Sequence, residues 1–217
     1  MMTFTIPGLL LVVACLTATT AHAQFGVPWR HAPTLVAISS AEDDPRLSLV
    51  DEAVSFWNKT LEEIGSGFRL PPAERLVKPV PEDALQALSR SIVGGSRPVD
   101  IPPALRNPLR DLTIMLGDSD FVSFAGPFDS TAKRVVGIRG LNLSPMNLPN
   151  VARNVIAHEL GHAIGLGHND DPTKLMCGRP SSCRPNLFRS DAPRLFPLTD
   201  DEKSRLLLMY PAEWKPR

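Results

Sequence analysis

Three of the five histidines in this 217-residue chain fall in one short run, His158-Glu159-Leu160-Gly161-His162-Ala163-Ile164-Gly165-Leu166-Gly167-His168. On an α-helix, residues four apart share a face, so His158 and His162 can offer ring nitrogens to a single cation. Glu159 stands beside the first histidine and can reach a water on that cation without being a ligand. Gly165 permits a backbone turn that a residue with a Cβ resists. That turn would end the helix and bring His168 round as a third ligand. Three nitrogen ligands leave one tetrahedral position open for water, which is how catalytic rather than structural zinc is held. The chemistry such a set performs is metal-assisted hydrolysis, with Glu159 as general acid and base.

Elements that must position these residues are readable on either side. Pro149 suits the first turn of the helix that carries the histidines, where its missing N–H is no loss. Residues 34–39, 112–116 and 135–139 are short apolar, β-branched runs and read as strands. Leu47, Val50, Val54, Trp57, Leu61 and Ile64 recur at spacings of three and four, one apolar face of a long helix that Gly65 ends. Residues 71–81 carry four prolines and read as loop, as do residues 98–108. Between them, residues 82–93 form a short helix with Leu85, Leu88 and Ile92 inward. Thr199-Asp200-Asp201-Glu202 is a capping box that opens a last helix before Pro211. Asn58-Lys59-Thr60 is a glycosylation sequon set in the middle of a helix.

The histidine run resembles the metzincins, whose motif H-E-x-x-H-x-x-G-x-x-H is met at every defined position. Leu175-Met176 is similar to that family's Met-turn, and Met176 follows His168 by eight residues, a spacing like that of the matrixin subgroup. The resemblance implies an α+β fold: a small mixed sheet with an active-site helix and a C-terminal helix. It implies one catalytic zinc on His158, His162 and His168, Glu159 as the catalytic acid/base, and Met176 packed beneath the ligands. It further implies an N-terminal subdomain over residues 24–168, a C-terminal one over 169–217, and a rim strand at residues 135–139 that offers backbone to an extended substrate. A protein or peptide is then the expected partner. The match is not complete. His31 is the one histidine between the leader and His158, so the second, histidine-built zinc site of matrixins is not expected. Calcium is not expected either, although Asp118, Asp120 and Asp129 could supply oxygens. A cysteine switch is not expected, since no Cys lies between the leader and the zinc helix. Cys177 stands where some metzincins have a tyrosine, and the single tyrosine is Tyr210.

Composition narrows the class further. Lys+Arg and Asp+Glu both number 23, so the net charge is zero. Such a chain is not a nucleic-acid binder held by bulk electrostatics. Residues 1–23 contain no charged side chain. A short apolar run over residues 6–16 is followed by Ala21-His22-Ala23, an A-x-A cleavage pattern, so residues 1–23 read as a secretory signal peptide. The alternative is a lipid anchor at Cys15, which follows Val12-Val13-Ala14 in lipobox fashion. Either route leads out of the cytoplasm, to the periplasm or beyond. No stretch is long and apolar enough to span a membrane. Cys177 and Cys183 are then an even pair in an oxidising compartment, and a disulfide is expected, with a reduced or metal-bound pair as the alternative. The reading that joins these features is a secreted zinc endopeptidase. Its rivals are a secreted zinc-binding module without turnover and a zinc amidase acting on a non-protein amide.

Overall fold

The computed structural model describes residues 27–96, 98–127, 133–178, 183 and 192–216. The leader with Cys15, Asp129, and most of residues 179–191 lie outside them. The architecture is α+β: a five-stranded sheet in the order β2-β1-β3-β5-β4, with four α-helices among the described residues. Strands β1 (Leu35–Ser39), β2 (Glu74–Val77), β3 (Leu112–Leu116) and β5 (Arg134–Ile138) run parallel, and β4 (Phe124–Pro127) closes one edge antiparallel to β5.

The central strands are apolar at nearly every position because both faces are covered. Leu35, Ala37, Ile114, Leu116, Val136 and Ile138 face a core shared with α1 (Arg46–Glu63) and α3 (Pro149–Ala163). The alternate residues Val36, Ile38, Met115 and Val135 face α2 (Glu82–Val93) and its Leu85 and Leu88. All the predicted inward residues of α1 except Ile64, which is half-buried, lie in the core. Trp57 of α1 also reaches across to α3, donating its indole N–H to the Ala157 carbonyl at 2.9 Å. Asn58 of the sequon is held in α1, its amide exchanging two hydrogen bonds with the backbone of Leu70. The capping box opens α4 (Asp200–Met209) as its sequence specifies.

Two strands depart from the sequence reading. Residues 74–77 are an edge strand rather than loop, because Pro71, Pro72, Pro79 and Pro81 all lie outside the four residues that pair with β1. The second is β4. It lies beyond β5, so the strand over 134–138 has neighbours on both sides and its backbone is committed to β3 and β4. The edge on this side of the sheet is therefore β4, and residues 135–139 do not have the open backbone that a rim strand needs.

Arg46 ties the start of α1 to the sheet. Its side chain is 4% exposed and holds the Asp44 carboxylate through Nε at 3.0 Å and Nη2 at 2.7 Å. It also donates to the carbonyls of Gly117 and Ile138, at the ends of β3 and β5, and pairs with Asp118 at 2.7 Å. Burial alone would raise the Asp44 carboxyl, but hydrogen bonds from Arg46 and Ser39 outweigh it and hold the group below its usual value. Such a carboxylate stabilises the fold above its unfolded pKa and loses that contribution as pH falls through the lower folded value. Replacing Arg46 by Met strands the Asp44 charge in the interior. The expected loss is about 3–5 kcal/mol at pH 7 by urea unfolding. The deficit should shrink towards pH 3, where Asp44 in the variant is protonated; an equal deficit at both pH values would show that Arg46 acts by packing alone.

Candidate metal centre

The histidines are set by where α3 stops. Its last turn closes with Gly165 N–H on the His162 carbonyl at 2.9 Å and Leu166 N–H on the Gly161 carbonyl at 3.0 Å, a Schellman pair. Gly165 sits at φ +105°, which side-chain-bearing residues rarely adopt, so the predicted turn falls where the sequence puts it. The chain then doubles back and His168 meets the two helical histidines. His168 Nε2 lies 3.2 Å from His158 Nε2 and 3.0 Å from His162 Nε2.

The opposite ring nitrogens fix the tautomers. His158 Nδ1 faces the Leu175 carbonyl and His162 Nδ1 the Leu166 carbonyl, each at 2.8 Å. A carbonyl only accepts, so both Nδ1 atoms carry the proton and each Nε2 keeps the lone pair that a cation would take. Burial, reinforced by the neighbouring histidines, pushes His162 well below its usual pKa, and burial lowers His168 as well. Neutral imidazoles whose acceptor nitrogens converge are complementary to a cation. Three ligands at 2.0–2.1 Å from a tetrahedral centre stand about 3.3 Å apart, close to the spacings seen. The residues present thus fit a zinc ion.

Glu159 is buried next to His158, and its carboxylate accepts the backbone N–H of Ala125 in β4. Burial pushes its carboxyl up to about 8. Met176 is fully buried against α3; a Cβ on Gly161 would stand 2.5 Å from its sulfur. Gly161, which the motif leaves undefined, is therefore a close approach between α3 and the Leu175-Met176 segment. Beside Glu159 and His158 opens a cavity of about 240 Å³, bounded by Ser123 and Arg139 from the sheet side, Met146, Val151 and Val155 around the start of α3, and Cys177. Cys177 is joined to Cys183, as the even pair suggested.

The other singled-out groups lie elsewhere. His31 faces Asp111 at 3.4 Å. Asp118 and Asp120 face Arg46 and Arg139. Tyr210 is fully buried and serves the helix end rather than the cleft. Its hydroxyl, pushed up to about 12 by burial, donates to the Ile164 carbonyl at 2.9 Å and accepts the Trp29 backbone N–H at 3.1 Å. The Ala163 carbonyl takes the Trp29 indole N–H at 3.0 Å and the Arg134 guanidinium, which also lies 4.2 Å over the Trp29 ring.

Several positioning residues escaped the sequence reading. Asn150 and Asn154, one turn apart on α3 and buried, hold the backbone of residues 192–196 through four hydrogen bonds. Their spacing on one face of the helix was the available signal. Asn169 pairs its backbone with Met176 and Gly178 and its side chain with Glu202 of α4 at 2.6 Å. Gly178 packs on the His168 ring so closely that a Cβ there would collide with it.

No protein-family model matches the chain. Among solved structures, archaemetzincin from Methanopyrus kandleri is similar over 83% of this chain and 96% of that one, with 21% identity and a TM-score of 0.46.

The helix-end cap can be tested apart from any activity. Tyr210→Phe removes one hydroxyl and leaves the Trp29 N–H and the Ile164 carbonyl without that partner inside the protein. The expected loss of stability is about 1–3 kcal/mol by chemical unfolding; an unchanged midpoint would mean that water replaces the hydroxyl.

Proposed function

We propose that the chain is an exported zinc-dependent endopeptidase of metzincin type, matrixin-like in its Met-turn spacing. In this reading residues 1–23 are a signal peptide. Residues 24–217 form the catalytic domain, with the cleft between an N-terminal part to residue 168 and a C-terminal part from 169. The observation that carries it is the convergence of three Nε2 atoms, two with their tautomers fixed by backbone carbonyls, beside a buried carboxyl and an open cavity.

His158, His162 and His168 hold the ion. When bound, zinc supplies a Lewis acid that acidifies water and polarises a carbonyl. Glu159 moves the proton, taking it from the attacking water and returning it to the leaving nitrogen. The Ala125 N–H orients that carboxylate, and a cation held next to it favours its charged form over the neutral form that burial favours. Met176 keeps the ligand helix at a fixed height. The free edge of β4 borders Glu159, so an extended peptide can lie along it and keep its backbone groups paired. Glu159 separates this reading from a binding module, because a structural zinc needs no base.

Zinc at about a hundred times its dissociation constant should stabilise the folded chain by about 2.7 kcal/mol, read as a rise in the thermal midpoint. One equivalent should bind, and His162→Ala should abolish the effect. Glu159→Gln should keep the zinc and the midpoint shift yet lose about 10²–10⁴-fold in peptide cleavage. Undiminished cleavage by the zinc-loaded Glu159→Gln protein would sink the mechanism.

A further inference from the structure

Arg139 is unusual among the residues that line the cavity. It is the one cationic side chain there among the described residues, and it is only 19% exposed. Its backbone N–H is held by Ser123 Oγ at 3.2 Å. Nη2 donates to the Ser144 carbonyl at 3.1 Å and faces Asp120 at 3.3 Å, but Asp120 is itself 75% exposed. Nε is buried and has no hydrogen-bond partner among the described residues. A buried N–H of a charged group is rarely left unmatched. A guanidinium can hold two oxygens of one planar acceptor, and among the described residues the acceptors beside this one stand at Nη2, so part of its donor set is unmatched. The remaining walls include Val122, Met146 and Val151, which offer no acceptor side chain.

We propose that this cavity is a subsite for a carboxylate of the substrate, received by Arg139. The proposal rests on the peptidase reading for the identity of the larger ligand. A carboxylate fits better than a phosphate because a single guanidinium, with Asp120 on its outer side and Glu159 in the same cavity, matches one negative charge and not two. The carboxylate has two sources, an Asp or Glu side chain next to the scissile bond, or the free C-terminus of a short substrate. Arg139 touches the substrate in either case and sets specificity; it takes no part in proton transfer.

The test uses the zinc-loaded chain from residue 24 onward. Peptides blocked at both ends carry Glu or Gln at one position at a time around a common cleavable bond, and a second pair ends just beyond that bond in a free carboxylate or an amide. A preference of about tenfold or more for the charged member is expected at one position or at the terminus, expressed mainly in KM. Which pair shows it names the source. Arg139→Gln should bring the ratio near one by raising KM for the charged member, whereas Asp120→Asn, at the surface, should raise the ratio. A ratio near one throughout for the wild type, or an unchanged ratio in Arg139→Gln, overturns the proposal and leaves the peptidase reading standing. A binding arm keeps the two apart. A succinyl hydroxamate and its primary amide need only the metal, and calorimetry on the wild type should find the acid bound about tenfold more tightly. If no peptide is cleaved, the peptidase reading falls and this ratio alone decides: a tenfold difference upholds the carboxylate subsite, and equal or absent binding overturns it.

Discussion

The structure depends on ending one helix at the right residue. An α-helix leaves its last carbonyls without intrahelical donors, and in a buried setting they must be satisfied from elsewhere. In α3 this happens directly after His162. The Ala163 and Ile164 carbonyls are taken by Trp29, Arg134 and Tyr210, contributed by the start of the described chain, the head of β5 and the end of α4. Those donors let the helix stop deep in the core, and the stop lets Gly165 turn the chain so that His168 returns. One more helical turn would carry His168 away from the other two histidines. Distant parts of the chain therefore meet at the helix end, behind the histidine cluster rather than in it.

The same economy governs the other side of α3. Glu159 and His158 face the cleft, while Ile156, Ala157, Leu160 and Ala163 are buried in the core shared with α1 and the sheet. Asn150 and Asn154 hold residues 192–196 without breaking the helix, because each amide offers both a donor and an acceptor to one strand of backbone. The helix thus has three duties on three faces: packing, pinning and chemistry. Met176 fills the place where packing and chemistry meet, and Gly161 leaves it room.

What could be read from the sequence follows from the range of the interactions. The histidine cluster, the Schellman turn at Gly165 and the capping box at Thr199 are local patterns within a few residues, and the structure brings the three histidines together and forms the turn and the cap where those patterns lie. The central strands and α1 were legible because their faces are buried and their periodicity is strong. Strands β2 and β4 are four residues each, at the edges, and their pairing is the main thing that makes them strands. A tract with prolines on both sides gives no sign of such pairing. The cap of α3 was hidden for a plainer reason: Trp29 and Ala163 are 134 residues apart, and nothing in either neighbourhood points to the other.

Strand β5 shows how few residues separate the support of the helix end from the wall of the cavity. Arg134 begins the strand and reaches the end of α3; Arg139 follows its last residue and lines the cavity. The register with β3, from Leu112 against Arg134 to Leu116 against Ile138, fixes both at once. A slip of one residue would turn every side chain of the strand to the other face. Arg134 would leave the Ala163 carbonyl, Gly137 would no longer make room for the Phe124 ring, and Arg139 would leave the cavity. A net charge of zero gives the molecule no monopole with which to draw in a charged ligand, so on the peptidase reading any charge selection falls to groups held in the cleft, and the pairing of β5 fixes where Arg139 stands.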